Sequence, residues 1–212
     1  MHIGFVPKNH PHQQKKQGVD DSVDDRETPA KVYDPLHVEF GFTLDVAAAR
    51  HNAKCPRYYA KAAYTPLEAS QGQLFPTSLT GDPDALGFDG LVQPWARDEV
   101  VWCNPPFSDL RPWLEKAHGA ECTVVMLLPA NRTEQPWWQR YVEPYRDDHD
   151  KDPHWQAIIE RDFGGDRPLG KVSTRFLAGR KSFLYQGEVI GNTTSKAPPF
   201  GIVLVIWDRR IR

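Results

Sequence analysis

The sequence predicts an α/β fold: a mostly parallel sheet that ends in an antiparallel β-hairpin. Two apolar runs, residues 123–128 and 200–207, have the length and the β-branched content of buried strands. Segments with helical spacing separate the earlier strand candidates, and such alternation favours parallel pairing. The last two strand candidates, residues 171–186 and 200–207, are joined by a Gly/Ser/Thr/Pro-rich loop without a helix. They are therefore expected to form the terminal hairpin.

The first half of the chain gives the weaker signals. Residues 1–27 are polar and aperiodic, which predicts a mobile N-terminal arm. Residues 29–40 mix helix and turn signals, residues 42–47 predict a strand, and the Ala-rich residues 47–54 favour the start of a helix. Repeated glycines and prolines predict a mostly irregular stretch over residues 64–90.

The second half is more regular. Residues 100–103 predict a short strand, and residues 109–119 fit a helix with Leu110, Trp113, Leu114 and Ala117 on one face. A further short helix is predicted over residues 135–141. The polar stretch around residues 147–170 is interpreted as an insertion in a single domain that spans residues 28–212.

Composition excludes several classes of protein. No apolar run approaches the roughly 20 residues that a membrane helix needs, and the N-terminal residues lack the apolar core of a secretory signal, so a cytoplasmic protein is expected. Three cysteines without a CxxC pair argue against a disulfide scaffold. No metal site is predicted, because His51 and Cys55 have no further ligands at a defined spacing. A net charge of -2 leaves a nucleic-acid partner open.

The most informative segment is Asn104-Pro105-Pro106-Phe107, directly after a predicted strand. Ligands of open α/β sheets bind at the carboxyl ends of strands. Two prolines fix φ and remove two backbone donors, which leaves the Asn104 side-chain oxygen and a backbone carbonyl, assigned to Pro105, as acceptors. Phe107 adds a flat apolar face. The alternative is a rigid turn that packs Phe107 into the core.

Acceptors beside an aromatic face suit an exocyclic amine on an aromatic ring. Such an amine is a poor nucleophile because its lone pair is delocalised into the ring. Two acceptors that bind its hydrogens can localise the lone pair and orient the nitrogen, which is electrostatic and positional catalysis. A target base in duplex DNA must first be flipped out, and Phe107 would then stack on it.

An ordered set of residues carries a family resemblance. The set runs through Thr28-Pro29, residues 42–48, Asn52-Ala53-Lys54-Cys55, Tyr58-Tyr59, Asp89-Gly90-Leu91, Trp95, Trp102, residues 104–107, Trp113, Lys116-Ala117, Arg180 and Phe183. It resembles the phage-type, Dam-like DNA N6-adenine methyltransferases over roughly residues 28–207. The resemblance implies a Rossmann-like fold, S-adenosyl-L-methionine as cofactor, double-stranded DNA as substrate, and a role in shielding phage DNA from restriction.

The resemblance also implies the residues of the cofactor pocket. They are Thr28, Pro29, Asp45, Ala47, Ala48, Asp89, Leu91 and Asn104, and the catalytic residues are Asn104, Pro105, Pro106 and Phe107. Asp45 could instead cap a helix, and Asp89 could belong to a surface turn. The FxGxG sequence of many methyltransferases is missing after the first strand, so the backbone path around the methionine moiety is left open.

A basic stretch suggests where DNA binds. Lys171, Arg175, Arg180 and Lys181 follow one another without an intervening acid, although ordinary solvated charge explains them equally well. Two other functions stay open: methylation of RNA or of a protein glutamine, and DNA binding without catalysis on the same fold. The target sequence and the oligomeric state are not predicted.

Overall fold

The computed structural model describes residues 27–60, 82–179, 183–185, 188–189 and 200–210. The predicted arm therefore lies outside the described residues except for Glu27, and so does most of the predicted irregular stretch before residue 82. No helix in the described ranges is both long and apolar enough to cross a membrane.

The described chain forms nine strands. They are β1 (Leu44–Ala48), β2 (Tyr58–Ala60), β3 (Gly87–Phe88), β4 (Val100–Cys103), β5 (Thr123–Pro129), β6 (Lys171–Phe176), β7 (Leu184–Tyr185), β8 (Glu188–Val189) and β9 (Ile202–Asp208). Seven of them form one sheet in the order β3-β2-β1-β4-β5-β9-β6, and β7 and β8 form a separate antiparallel pair. The prediction of a mixed α/β protein with a mostly parallel sheet is confirmed.

The direction of the strands changes only near one edge. Strands β3, β2, β1, β4 and β5 pair in parallel, whereas β9 pairs antiparallel with both β5 and β6. The two final strands of this sheet are thus antiparallel neighbours, as the sequence indicates. Their connection is longer than a simple loop because it carries the β7–β8 pair.

Helices cover both faces of the sheet. They are α1 (Ala30–Phe40), α2 (Arg111–Gly119), α3 (Pro136–Tyr141) and α4 (Pro153–Phe163). Alternate residues of the central strands point to opposite faces: Val124 and Met126 belong to the core cluster under α2 and α3, and Val125 belongs to the cluster under α1. All seven residues of β5 and of β9 are buried, which explains their continuous apolar runs.

Helix α1 is longer and more regular than its sequence suggests. Its buried residues Val32, Tyr33, Leu36 and Phe40 form one apolar stripe, so burial outweighs the internal Pro35. The predicted helix over residues 47–54 is wrong, because this segment turns instead. Side chains accept its backbone donors: the Asn52 Oδ1 atom accepts from the Ala49 N–H at 2.6 Å, and Asp45 accepts from the Lys54 N–H at 3.0 Å.

The polar stretch around residues 147–170 contains a helix that periodicity alone does not reveal. Only Ile159 of α4 is buried, so the sequence lacks an apolar stripe. End signals are nevertheless present. Asp152 caps the helix by accepting from the His154 N–H at 2.8 Å, Pro153 occupies the first turn, and Gly164 ends the helix with a φ of 62°.

Candidate active site

The Asn104-Pro105-Pro106-Phe107 segment occupies the end of a strand, as predicted. Strand β4 ends at Cys103, and α2 begins at Arg111. Asn104, Pro106 and Phe107 are half-buried, whereas Pro105 is buried. The segment therefore lies at the boundary between the core and the surface, where a side chain can be held rigidly and still meet a ligand.

The topology places this segment beside the end of β1. Strands β1 and β4 are parallel neighbours, with Asp45 paired to Trp102. After β1, the chain adds β2 and then β3 on one side of the sheet. It then returns to form β4 on the other side of β1, and β5 lies next to β4. The strand order thus reverses between β1 and β4. In open α/β sheets, ligands bind in the crevice at the carboxyl ends of such a pair.

A second loop lies against the end of β1. A Cβ atom at Gly90 would lie 1.9 Å from the Val46 carbonyl oxygen, so only glycine fits this approach. The preceding Asp89 has a φ of 61°, is exposed, and accepts the Leu91 N–H at 3.0 Å through its own carboxylate. The turn alternative therefore describes the local geometry of Asp89, and the neighbouring Gly90 brings this turn against β1.

Helix α2 holds this loop in place. The Lys116 Nζ atom donates to the carbonyl oxygens of Leu91 at 2.7 Å and of Gln93 at 2.5 Å. The Trp95 indole N–H donates to the Gly90 carbonyl oxygen at 2.9 Å, and the Lys116 ammonium lies 5.0 Å from the centre of the Trp95 ring. Burial lowers the pKa of Lys116. Gly90, Trp95 and Lys116 are distant or unconnected in the sequence pattern of the resemblance, and in the structure they are linked to one another.

Asp45 is an internal anchor of the crevice. It is 3% exposed, and it is the second residue of β1 rather than the last. Its two carboxylate oxygens accept the backbone N–H groups of Ala47 at 3.3 Å and of Lys54 at 3.0 Å. Burial raises the pKa of Asp45 to about 6, against the opposing effect of these two hydrogen bonds. Asp45 therefore fixes the path of the chain around Ala47 and Ala48.

An ion pair connects the segment before α1 to the same loop. The Lys54 Nζ atom lies 2.6 Å from the Glu27 Oε1 atom, and both side chains are largely buried. The adjacent Thr28 is 1% exposed, and its hydroxyl oxygen has no hydrogen-bond partner among the described residues. A buried hydroxyl without a partner costs free energy, so it is a candidate contact for a bound molecule. Pro29 precedes the first residue of α1.

The structure thus brings together most of the residues assigned to the pocket. Segments 27–29, 45–48, 89–91 and 104–107 are linked through Lys54, Val46 and the β1–β4 pairing. Sequence reasoning missed the connecting residues Gly90, Lys54 and Lys116 as functional positions. A signal was present, because all three fall within the ordered set of the resemblance.

Of the predicted DNA-binding cations, the structure describes Lys171 and Arg175, and each is paired with an acid. Lys171 begins β6 opposite Asp208, at the amino edge of the parallel strands, and lies 3.3 Å from the Asp148 carboxylate. There it borders a cavity of about 940 Å³ whose lining carries both signs of charge. Arg175 forms two hydrogen bonds with Glu39, at 2.6 and 2.8 Å. Arg180 and Lys181 lie outside the described residues.

Site and fold together describe an α/β protein with a proline-fixed corner at the point where the strand order reverses. Comparison with known proteins is consistent with that class. The DNA N-6-adenine-methyltransferase (Dam) family matches residues 15–70 and 85–147, more than half of the chain, and the chain belongs to this family. The match covers all four segments of the crevice. No curated protein and no solved structure matches significantly.

The pKa of Asp45 predicts a pH dependence of stability. Because burial raises this pKa from 3.8 to about 6, the folded protein binds a proton more tightly than the unfolded chain. The contribution of Asp45 is therefore fully present below pH 4 and is lost as the pH rises through 6. We expect the free energy of unfolding of the wild type, minus that of Asp45→Asn, to fall by about 2 kcal/mol between pH 4 and pH 7.

Denaturant titrations of both proteins across this range measure the difference. His118 is a second buried group, and burial lowers its pKa to about 4. Its contribution to stability cancels in the difference, because both proteins contain it. A difference that stays constant, or that grows as the pH rises, would contradict this description of Asp45.

Proposed function

We propose that this chain transfers a methyl group from S-adenosyl-L-methionine to the N6 amine of an adenine flipped out of duplex DNA. The observation that carries the proposal is the position of Asn104-Pro105-Pro106-Phe107 at the point where the strand order reverses, beside the end of β1. Family membership already gives DNA adenine methylation as the general activity. The cofactor, the state of the base and the roles of single residues are the additional proposals.

The crevice fits the proposed cofactor. Ala47 and Ala48 are small residues near the end of β1, where a ligand must approach the backbone closely. Among the described residues the buried Thr28 hydroxyl has no hydrogen-bond partner, and we assign it to the amino-acid end of the cofactor. Asp89 presents an exposed carboxylate that suits the amine of the cofactor's adenine, and Leu91 beside it supplies an apolar surface. When bound, S-adenosyl-L-methionine supplies an activated methyl group on a cationic sulfur.

The chain's own groups orient the target amine. We assign the Asn104 side-chain oxygen and the Pro105 carbonyl oxygen as acceptors of its two hydrogens. Held by these two acceptors, the amine would direct its nitrogen lone pair at the methyl group that the bound cofactor would supply. The amine then releases one proton to solvent. Fixed acceptors favour this transition state because their orientation needs no reorganisation during the reaction.

Phe107 and the basic residues are assigned to the DNA. The Phe107 ring is half-buried, and we assign its exposed part to stacking on an extrahelical base. Arg175 and Lys171 are proposed phosphate contacts, and each must exchange an ion pair with Glu39 or Asp148 to make one. Arg180 and Lys181 complete the proposed surface. Shielding of phage DNA from restriction is the proposed biological role.

Transfer of a radiolabelled methyl group tests the proposal. The purified chain is incubated with labelled S-adenosyl-L-methionine in three separate reactions. They contain duplex DNA, RNA, or a mixture of glutamine-containing proteins. We expect label in DNA, recovered as N6-methyladenine after digestion. Label only in RNA or protein would support the alternative substrates. A folded chain that binds DNA but not the cofactor in calorimetry would support a protein that binds DNA without catalysis.

A further inference from the structure

A closed ring of contacts surrounds Phe107 and includes a residue outside the sites described above. The Phe107 ring lies 6.1 Å from the Phe200 ring and 6.0 Å from the Phe183 ring, centre to centre. Phe200 is followed by Gly201, whose carbonyl oxygen accepts the Ala130 N–H at 2.9 Å. Two residues later, Arg132 returns to Phe107: its Nη1 atom donates to the Phe107 carbonyl oxygen at 3.0 Å.

The loop that carries Arg132 is itself fixed at both ends. Ala130 is bound to Gly201 beside the end of β5, where Pro129 pairs with Ile202. On the other side, the Gln139 side chain donates to the Thr133 carbonyl oxygen at 2.8 Å, which joins the loop to α3. Arg132 is half-buried, so its side chain is restrained by its surroundings. The loop therefore presents Arg132 to Phe107 from two fixed points, Ala130 and Thr133.

The bond from Arg132 acts on the acceptor corner. A hydrogen bond from a cationic donor is stronger than a neutral one, and here it fixes the peptide plane that follows Phe107. Aromatic contacts restrain the ring on the other side. Pro105 and Pro106 fix φ at their own positions, and the bond from Arg132 limits rotation about ψ of Phe107, which neither proline restricts. The bond and the two aromatic contacts therefore hold the backbone and the ring of Phe107 from different sides.

We propose that Arg132 is a positioning residue of the methyl-transfer site, which aligns the Asn104–Phe107 corner through the Phe107 carbonyl group. This inference rests on the proposed function. It assigns to Arg132 a role in the rate of the chemical step and none in binding of the cofactor or of a DNA phosphate. The alternative is that Arg132 contacts a DNA phosphate directly. That role predicts an altered salt dependence of DNA affinity and an unchanged kcat.

Arg132→Met removes the donor and keeps much of the apolar stem. We expect kcat to fall by roughly 10- to 100-fold, because small misplacement of a catalytic group has effects of this size. Cofactor affinity, the melting temperature and the salt dependence of DNA affinity should stay as in the wild type. Arg132→Lys should recover part of the rate, since an ammonium group can donate to the same carbonyl oxygen. Arg97→Met is the matched control, because Arg97 is an exposed cation before the amino end of β4.

Two outcomes would overturn the inference. An unchanged kcat, together with a salt slope lowered by about one unit, would identify Arg132 as a phosphate contact instead. Unfolding or loss of cofactor binding in Arg132→Met would identify it as part of the scaffold. Wild-type turnover on duplex DNA is measured first. If the wild type shows no turnover, the proposed function fails. If the wild type turns over normally and Arg132→Met has the same kcat, only the role of Arg132 is rejected.

Discussion

Replacing Asn104 by alanine is expected to abolish methyl transfer while leaving cofactor binding intact. The substitution removes one of the two proposed acceptors of the amine hydrogens, and loss of one preorganised group of this kind costs about 100-fold or more in kcat. The cofactor is proposed to be held mainly by Thr28, the loop after Asp45 and the Asp89 turn. Its dissociation constant in calorimetry should therefore change by less than about threefold.

Asn104→Asp is the informative companion variant. A carboxylate keeps oxygen acceptors at the same position, so this protein should be faster than Asn104→Ala and slower than the wild type. Single-turnover rates on duplex DNA compare the three proteins. Normal turnover in Asn104→Ala would show that the acceptor role is misassigned.

Replacing Gly90 by alanine has the second large expected effect. The new methyl group would lie 1.9 Å from the Val46 carbonyl oxygen, so the loop or the end of β1 must move. We expect a loss of about 3 kcal/mol in the free energy of unfolding, or a displaced loop. In either case, cofactor affinity should fall by at least about tenfold, because the proposed contacts of Asp89 and Leu91 with the cofactor would be displaced.

Gly119→Ala is the control with the same chemical change. A Cβ atom there meets no other atom within 4 Å, and the residue is at the end of α2. Its unfolding free energy should stay within about 1 kcal/mol of the wild type. Denaturant titration and calorimetry on both variants make the comparison. Equal stability and equal cofactor affinity of the two variants would contradict the close approach of the 89–91 loop to β1.

The sequence predicts the sheet better than the paths between its strands. Strands β5 and β9 are continuous apolar runs because both faces are covered, and such runs are visible without a structure. The turn after β1 is different. Ala-rich residues favour a helix there, yet the Asp45 carboxylate accepts the Lys54 N–H, which a continuing helix would direct to the carbonyl group four residues earlier. Long-range geometry decides that competition, so local propensity gives the wrong answer.

The candidate site shows the same division. Asn104-Pro105-Pro106-Phe107 is recognisable because two prolines after a short strand restrict the backbone wherever they occur. The roles of Lys116 and Gly90 depend on which carbonyl groups lie nearby, and sequence spacing does not contain that information. Likewise, Lys171 and Arg175 look like free cations in the sequence, whereas acids distant along the chain pair with both of them.

The most direct test of the central claim is the methylation state of adenine in DNA from cells that express this chain. Sequencing that reports N6-methyladenine, with mass spectrometry of the digested DNA, should detect the modified base at a defined sequence with the wild type. The signal should be lost with Asn104→Ala at equal expression. DNA without N6-methyladenine beside a folded wild-type protein, or equal methylation by both proteins, would contradict the account of the acceptor corner.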